Sequence, residues 1–302
     1  MTPESRLFHL SREVREAIER GLPLVALEST VIAHGLPHPL NLETARKLEQ
    51  IVLDGGAVPA TIAVLNGRFC VGLSGEQLEY LARNDNIKKL SRRDLPLAAA
   101  LGWNGATTVA TTVWIAQQAG ISVFATGGIG GVHRGELPDV SADLPELARA
   151  RILIVCSGAK SILDLPATRE WLETYGITVI GYGCDEMPAF YTRRSGLPVD
   201  VRVDAPEEAA AISSARWELG LEGALLLTVP VPAESEIPAE VMQGFLDQSL
   251  DEAARRKIKG RELTPFLLAS LARQSDGATL KANIALLENN ARVAAQMAQA
   301  LK

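Results

Sequence analysis

The chain has 302 residues, 47% hydrophobic and 22% charged, which is ordinary for a soluble globular enzyme. Its formal net charge of −6 argues against a broad nucleic-acid-binding surface but leaves room for a local basic pocket that holds a small phosphorylated ligand. The three cysteines form no CxxC pair, and no apolar run reaches the roughly 20 residues that a membrane span needs. No signal peptide is visible, so we expect a cytoplasmic protein with neither nucleic acid nor a membrane as partner.

The first part of the chain predicts alternating helices and strands. An amphipathic helix over residues 1–21 precedes a short buried strand that ends on Glu28, and residues 31–39 predict a loop rich in turn formers. Asn41 or Thr44 is a candidate cap for the next helix, which runs to Gly55. The further predicted elements are a strand hairpin over 60–72, a helix that begins at Ser74, a basic segment at 88–96 followed by an apolar helix, a helix over 107–120 and a strand over 121–126.

The second part continues this alternation around the stretch 152–160. Its apolar run ends in Ser-Gly-Ala and a lysine, which is typical of a strand buried on both faces. The remaining predicted elements are a glycine-rich loop over 127–135, a helix over 162–176, a strand over 178–182, an irregular stretch over 184–198, an edge strand over 199–203, a helix over 207–219, a strand over 223–229 and helices from residue 238 onward.

The alternation predicts βαβ units and therefore a mostly parallel sheet. We predict one α/β domain over residues 1–302, with helices on both faces of the sheet (α/β/α) and a helical C-terminal segment packed onto it.

Lys160 is the first candidate for chemistry. It falls in a strand-to-helix turn at the carboxyl end of a predicted parallel strand, which is the edge where ligands bind in open α/β sheets. A nearby helix N-terminus and partial burial favour the neutral amine that a Schiff-base nucleophile requires. The alternative interpretation is a solvated loop lysine.

Glu28 and the glycine-rich loop are predicted at the same edge. A carboxyl group straight after a buried strand suits a general acid, while a helix-capping or hydrogen-bonding role is the alternative. The glycines allow a ligand to approach the backbone closely. They do not fit the dinucleotide fingerprint, because His133 stands where the third glycine belongs, and the loop lacks the Gly-Lys-Ser/Thr end of a phosphate-binding P-loop.

Charged side chains suggest two further sites. Asp139 and Asp143 are four residues apart and could bind a hard divalent cation, although aspartates in turns also cap helices. The segment 88–93 carries four basic residues and a serine, and it predicts either a phosphate site or a solvated basic face. The spacing of the histidines supports no zinc site.

Nine stretches of this chain together resemble the pseudouridine-5′-phosphate glycosidase family, over residues 24–298. They are ALESTVIAHGLPHP (26–39), GAVPATIA (56–63), KLSRRDLP (89–96), NGATTVA (104–110), FATGGIGGVHRG (124–135), SADL (141–144), CSGAKSILDLPAT (156–168), TPFLLA (264–269) and NIALLENNA (283–291). The resemblance implies reversible cleavage of the C–C glycosidic bond of pseudouridine 5′-phosphate to uracil and ribose 5-phosphate. It also implies a divalent metal, usually Mn²⁺, and a homotrimer on an α/β/α fold.

The resemblance also assigns residues by their position in the matching motifs. It implies that Lys160 is the nucleophile, Glu28 the proton donor and Asp139 the metal ligand. The implied substrate contacts are Lys89, Val109, Ser141, Ala142 and Asp143, with His133 and Asn283 for the base. The loop 135–139 is shorter than the family pattern, and Trp103 is unusual there.

The chemistry agrees with these residue types. A carbon–carbon glycoside has no heteroatom leaving group to protonate, so a lysine iminium that accepts electrons, together with an acid, suits it better than two carboxylates. Two alternatives stay open: a related enzyme that acts on another C-glycoside or a pigment precursor, and a sugar-phosphate or nucleotide sensor.

Overall fold

The computed structural model describes residues 6–135, 139–258 and 263–302. The strands are β1 Phe8–Leu10, β2 Leu24–Leu27, β3 Val58–Leu65, β4 Arg68–Val71, β5 Lys88–Leu90, β6 Gly105–Thr107, β7 Val123–Ala125, β8 Val132–His133, β9 Leu153–Cys156, β10 Leu163–Asp164, β11 Thr178–Tyr182, β12 Val201–Val203 and β13 Leu225–Thr228. The helices are α1 Arg12–Glu19, α2 Leu40–Asp54, α3 Gly75–Arg83, α4 Leu95–Leu101, α5 Val109–Gln118, α6 Asp143–Leu147, α7 Leu165–Thr174, α8 Pro206–Glu218, α9 Ala239–Arg255, α10 Leu263–Gln274 and α11 Ala278–Ala300.

A parallel run of strands in the order β3-β2-β7-β9-β13-β11-β12 forms the centre of the main sheet. Strands β2, β7, β9 and β13 are buried along their whole length, as expected for apolar strands covered on both faces. Leu27 pairs with Ala125, and Ala125 pairs with Val155, so the carboxyl ends of β2, β7 and β9 lie side by side. The predicted edge strand is β12, at the end of this order.

The other side of the sheet is mixed. The hairpin of β3 and β4 turns at Asn66 and Gly67, both with positive φ, as the Asn-Gly pair predicts. Strand β6 pairs antiparallel with β3 and parallel with β5, while β1 pairs with β4. Strands β8 and β10 form a separate antiparallel pair.

Helices cover the sheet, and α11 is the most central of the described ones. It packs against β2, β7 and β9 and against α2 and α8. The contact with α2 is close, because a Cβ built on Gly55 would lie 2.5 Å from the Cβ of Ala295. Gln299 extends this contact, since its side-chain amide donates to the Gly56 carbonyl at 2.5 Å. The predicted α/β class, with a mostly parallel sheet, flanking helices and a helical C-terminal segment, is confirmed.

Several local predictions need correction. The stretch 8–10 is a strand rather than the start of the first helix, because it pairs with β4, and α1 begins only after Ser11 caps it by accepting from the Val14 amide. Residues 31–35 form a short π-helix rather than a loop. Neither Asn41 nor Thr44 caps α2, because the helix begins at Leu40 and contains both residues. The Asn41 amide group donates instead to the carbonyls of Ile32 and Ala82.

Two further helices begin later than predicted, because the residues before them pair as short strands. The helix predicted from residue 107 starts at Val109, since Gly105–Thr107 pair with β5. The helix predicted from residue 162 starts at Leu165, because Leu163–Asp164 pair with β8. Ser74 does cap α3, and Gln77 completes its capping box as the sequence pattern indicates. In the described part of the chain, no helix has both the length and the apolar character to cross a bilayer.

Candidate active site

The candidate site is a two-lobed cavity at the carboxyl edge of β2, β7 and β9. Glu28 directly follows β2, Thr126 directly follows β7, and Lys160 lies four residues after β9. Because these strands are parallel neighbours, their carboxyl ends deliver the three side chains to one place. The cavity therefore lies where the sequence pattern predicts a ligand site.

The two lobes share four wall residues, which are Glu28, Thr30, Lys89 and Lys160. The polar lobe has a volume of about 180 Å³, and its other walls are Ser91, Thr108, Val109, Gly130, His133, Ser141, Ala142, Asp143, Ile162 and Leu163. The apolar lobe has a volume of about 80 Å³, and its other walls are Val31, His34, Gly35, Thr126, Gly127, Gly128, Phe190, Leu268, Asn283 and Leu287.

The lobes bring together nearly all the predicted site residues. Lys160 and Glu28 border both lobes, and the predicted substrate contacts other than Asn283 border the polar lobe. His133 and Asn283, which the family resemblance pairs as contacts of the base, lie in different lobes. Asp139 is exposed and does not border either lobe.

Glu28 is a half-buried carboxyl group that accepts a hydrogen bond from the Thr126 hydroxyl. Burial raises its pKa, although the positive charge of Lys160 and the bond from Thr126 act in the opposite direction. A carboxyl group with a raised pKa keeps its proton at a higher pH than an ordinary glutamate does. This is the property that a general acid needs.

Lys160 owes its position to a turn that only glycine permits. Gly158 has φ +77°, and a Cβ on it would lie 2.0 Å from the Pro188 carbonyl oxygen. After this turn the Lys160 amide donates to the Ile129 carbonyl at 3.1 Å, which ties the lysine to the glycine-rich loop. The Ser-Gly-Ala-Lys sequence therefore runs parallel to the glycine-rich loop before it reaches the next helix.

Lys89 reaches the cavity from β5 on the mixed side of the sheet. Desolvation by the surrounding protein and the positive charge of Lys160 lower the pKa of Lys89, while Asp143 and Glu28 act in the opposite direction. The cavity thus places two amines and two carboxyl groups close enough to influence one another.

Asp143 links two parts of the polar lobe through its carboxylate. One oxygen accepts from the Ala110 amide in the first turn of α5 at 2.9 Å, and the other accepts from the Gly130 amide at 2.8 Å. A Cβ on Gly130 would lie 2.3 Å from the Ser141 hydroxyl oxygen, so glycine is required there by packing within the protein. Both carboxylate oxygens of Asp143 are therefore engaged by backbone donors.

Asp139 lies beside His133, which borders the polar lobe, but is itself outside the walls of that lobe. Its carbonyl accepts from the His133 amide at 2.8 Å. Burial lowers the pKa of His133, an effect that the Asp139 carboxylate partly opposes. The described ranges contain no group of three or more His, Cys, Asp or Glu side chains that could enclose a metal ion.

Only part of the basic segment 88–93 faces the cavity. Lys88 lies 4.6 Å from the ring centroid of Trp103, which gives this unusual tryptophan a partner. Arg92 is bound to the buried carboxylate of Glu146 at 2.7 Å, and Arg93 is largely exposed. The anion-site prediction therefore narrows to Lys89 and Ser91, which border the polar lobe.

Sequence reasoning missed several wall residues. Thr126 carried a usable signal, because it directly follows a buried strand, as Glu28 does. Phe190 carried none, since it comes from the irregular stretch and has a positive φ of 65°. Leu268 and Leu287 belong to helices whose apolar residues look like ordinary core residues.

Comparison with known proteins agrees with this site. The model of the indigoidine synthase A like protein family matches residues 13–300. The pseudouridine-5′-phosphate glycosidase of Caldanaerobacter subterraneus subsp. tengcongensis is 52% identical over 296 residues, covering 97% of this chain and 96% of the relative. The enzyme of the same name from Deinococcus radiodurans is 53% identical over 291 residues, covering 96% of this chain and 93% of the relative.

Solved structures extend this similarity to the fold. An indigoidine synthase A-like protein from Thermotoga maritima superposes with a TM-score of 0.89 at 39% identity, covering 97% of this chain and 95% of the other. The prealnumycin C-glycosynthase AlnA, solved in complex with ribulose 5-phosphate, gives a TM-score of 0.91 at 39% identity, covering 98% and 97%. The chain therefore belongs to the indigoidine synthase A like family of enzymes, together with the pseudouridine-5′-phosphate glycosidases.

Proposed function

We propose that this enzyme reversibly cleaves the C–C glycosidic bond of pseudouridine 5′-phosphate to give uracil and ribose 5-phosphate. The observation that carries the proposal is that Lys160 and Glu28 border one cavity, where a polar lobe meets an apolar lobe. The names of relatives that are about 50% identical over nearly the whole chain support the same reaction.

In the proposed mechanism, Lys160 acts as the nucleophile. Its free amine bonds to C1′ of the ribose and displaces the ring oxygen, which takes up a proton as the ring opens. The nitrogen lone pair then forms a C=N bond to C1′, and the bond between C1′ and C5 of the base breaks. The proton on Glu28 goes to C5, which releases uracil, and water hydrolyses the imine to release ribose 5-phosphate.

We place the sugar phosphate in the polar lobe. Lys89 and Ser91 lie on its wall, and so do Thr108 and Val109 at the N-terminus of α5, where backbone amides favour an anion. His133 borders this lobe, so we assign it to the sugar-phosphate end of the substrate rather than to the base.

We place uracil in the apolar lobe. Phe190 and Leu287 offer an apolar surface to a flat ring, and Asn283 offers a donor and an acceptor to the polar edge of that ring. Burial and the charge of Lys89 lower the pKa of His34, which lies on the same wall, and so favour its neutral imidazole.

A divalent cation, most commonly Mn²⁺, would be held through Asp139. Asp139 is exposed, and backbone amides already bind the Asp143 carboxylate. These residues therefore fit such a cation only if water or substrate oxygens supply its remaining ligands. Such a cation would supply positive charge that favours binding of the anionic substrate. The homotrimer also remains a prediction, which light scattering in solution tests.

A second candidate reaction is the cleavage or formation of another C-glycoside. The close superposition with a C-glycosynthase favours it over non-enzymatic alternatives. A panel of C-glycosides with bases other than uracil separates the two candidates, because our proposal expects turnover of pseudouridine 5′-phosphate well above that of the other compounds.

The decisive test is uracil release from pseudouridine 5′-phosphate, followed by chromatography. We expect turnover with Mn²⁺, loss of turnover after chelation and none with uridine 5′-phosphate, which has a C–N glycosidic bond. Asp139→Asn should raise the Mn²⁺ concentration needed for half-maximal activity, whereas Asp251→Asn, an exposed control on α9, should not. No uracil release with either Mn²⁺ or Mg²⁺ would refute the proposed function.

A further inference from the structure

Asn290, in the middle of α11, joins the carboxyl ends of two strands behind the candidate site. Its side-chain amide donates to the Thr126 carbonyl at 2.8 Å and to the Ser157 hydroxyl at 3.1 Å. The Ser157 hydroxyl also lies 3.3 Å from the side-chain oxygen of Asn290, to which it can donate. Asn290 is 1% exposed and does not border either lobe of the cavity.

Both partners of Asn290 lead directly to the proposed reacting groups. The hydroxyl of Thr126 donates to Glu28. Ser157 opens the turn that carries Lys160, and its carbonyl accepts from the Phe190 amide at 3.0 Å. Asn290 is therefore hydrogen-bonded to Thr126 and Ser157, which support Glu28, Lys160 and Phe190 in turn.

The buried amide side chain of Asn290 is unusual among its apolar neighbours on α11. Ala291 and Ala294, its neighbours on the same helix, are fully buried and apolar, as expected for a helix that covers a sheet. Burying an amide group is unfavourable unless its hydrogen bonds are made in the protein, and a leucine of similar size would pack here without that requirement. The bonds to Thr126 and Ser157 meet this requirement. They are directional, and they add a side-chain restraint where backbone bonds from Thr126 to Val155 and from Ser157 to Gly127 already join the carboxyl ends of β7 and β9.

We propose that Asn290 is a positioning residue, which holds the Glu28 acid and the Lys160 amine in register for the carbon–carbon bond cleavage. This inference rests on the proposed function, because it needs Glu28 and Lys160 to act on one substrate. It adds a residue from α11 that works through Thr126 and Ser157 rather than by contact with the substrate.

The two bonds have separable consequences. Loss of the Thr126 bond loosens the hydroxyl that stabilises the Glu28 carboxylate, so the pKa of Glu28 rises and the alkaline limb of the cleavage rate moves to higher pH. Loss of the Ser157 bond loosens the Lys160 turn, so formation of the lysine adduct slows without movement of that limb.

The test compares Asn290→Ala with Asn289→Ala in the full chain. Asn289 is a half-buried neighbour whose amide lies 3.5 Å from the Pro230 carbonyl, outside this network. We expect Asn290→Ala to lower kcat for uracil release by about 10- to 100-fold, with KM changed less than about threefold, because misplaced reacting groups cost mainly rate. The alkaline limb should move upward, and Asn289→Ala should show neither effect.

Three further variants separate positioning from a general loss of packing. Thr126→Val should move the limb in the same direction, and adding Asn290→Ala to it should move the limb no further. Ser157→Ala should slow the borohydride-trapped adduct with ribose 5-phosphate and leave the limb in place. This variant removes a single oxygen atom, so it tests the second bond even if Asn290→Ala does not fold.

The outcomes of these experiments are distinct. If wild-type protein releases uracil and Asn290→Ala matches Asn289→Ala in kcat and in pH profile, the positioning role is overturned and the proposed function stands. If Asn290→Ala does not fold and Ser157→Ala traps the adduct at the wild-type rate, the positioning role is also overturned. If wild-type protein releases no uracil, both are overturned.

Discussion

Thr126 and Glu28 follow neighbouring parallel strands, and the hydroxyl of Thr126 donates a hydrogen bond to the carboxyl group of Glu28. The bond stabilises the carboxylate, but burial has the larger effect and the pKa of Glu28 is raised. The threonine therefore keeps the acid oriented and limits how far its pKa rises. Both properties suit the proposed role of Glu28 as a proton donor, which must be protonated again in each turnover.

Glu28→Gln should abolish proton donation while leaving the lysine chemistry in place. We expect uracil release to fall by about 10²-fold or more, the usual contribution of a general acid, while borohydride still traps ribose 5-phosphate on the protein. Glu49→Gln is a matched control, because Glu49 also has a raised pKa and accepts a bond from a threonine, Thr61, but does not border the cavity. Equal loss of activity in both variants would contradict the assigned role.

Lys160→Ala should remove the covalent intermediate. Treatment of the wild-type protein with ribose 5-phosphate and borohydride should add the mass of the reduced sugar phosphate to one peptide, the one that contains Lys160, because the proposed mechanism forms the imine on Lys160 and not on Lys89, the other amine of the cavity. The Lys160→Ala protein should give no adduct and no uracil, and Lys281→Ala, at an exposed site on α11, should behave as wild type. An adduct on another lysine in wild-type protein would reassign the nucleophile.

The raised pKa of Glu28 also predicts how stability depends on pH. Between the ordinary glutamate pKa and the raised one, the folded protein binds more protons than the unfolded chain, so stability falls as pH rises through this range. Glu28→Gln removes this penalty and should raise Tm at pH 8, with no gain at pH 4. Thermal melts at the two pH values check the sign, and a gain that is equal at both would show that the effect is not titration.

Lys89 and Lys88 form a natural pair for testing phosphate recognition. They are adjacent in sequence, yet Lys89 borders the polar lobe and Lys88 lies against Trp103. Lys89→Ala should raise KM for pseudouridine 5′-phosphate by about 10-fold or more, since a hydrogen bond to a charged group contributes about 1.5–3 kcal/mol. Lys88→Ala should leave KM near the wild-type value. Steady-state measurement of KM for both variants tests this prediction. An equal rise in KM would mean that the basic segment acts only through its overall positive charge.

The sequence was sufficient to predict the mostly parallel centre of the sheet and the edge at which the candidate cavity lies. Apolar runs that end in Glu28 and near Lys160 identify parallel strands, and the carboxyl ends of such strands meet at one edge. Short strands were harder, because β5, β6 and β10 have only two or three residues and are held by their neighbours rather than by any periodicity.

Contacts between distant segments were beyond the sequence pattern. The Asp143 carboxylate satisfies amides of Ala110 and Gly130, which lie in two other elements, and nothing in its local sequence distinguishes this role from that of a metal ligand. The same holds for Asn290, whose partners Thr126 and Ser157 are more than 130 residues away in the chain. Such residues can be assigned only after the fold has brought the segments together.

The tight crossing of α11 over α2 has a consequence for remote variants. A helix of 23 residues is stiff and roughly 35 Å long. The C-terminal part of α11 packs on Gly55 and Gly56, and near its N-terminus Asn283 borders the apolar lobe. Because this contact leaves no room for a methyl group, Gly55→Ala would tilt α11 at its C-terminal part and displace its N-terminal end. A substitution far from the cavity would then weaken the proposed binding of uracil without changing the sheet.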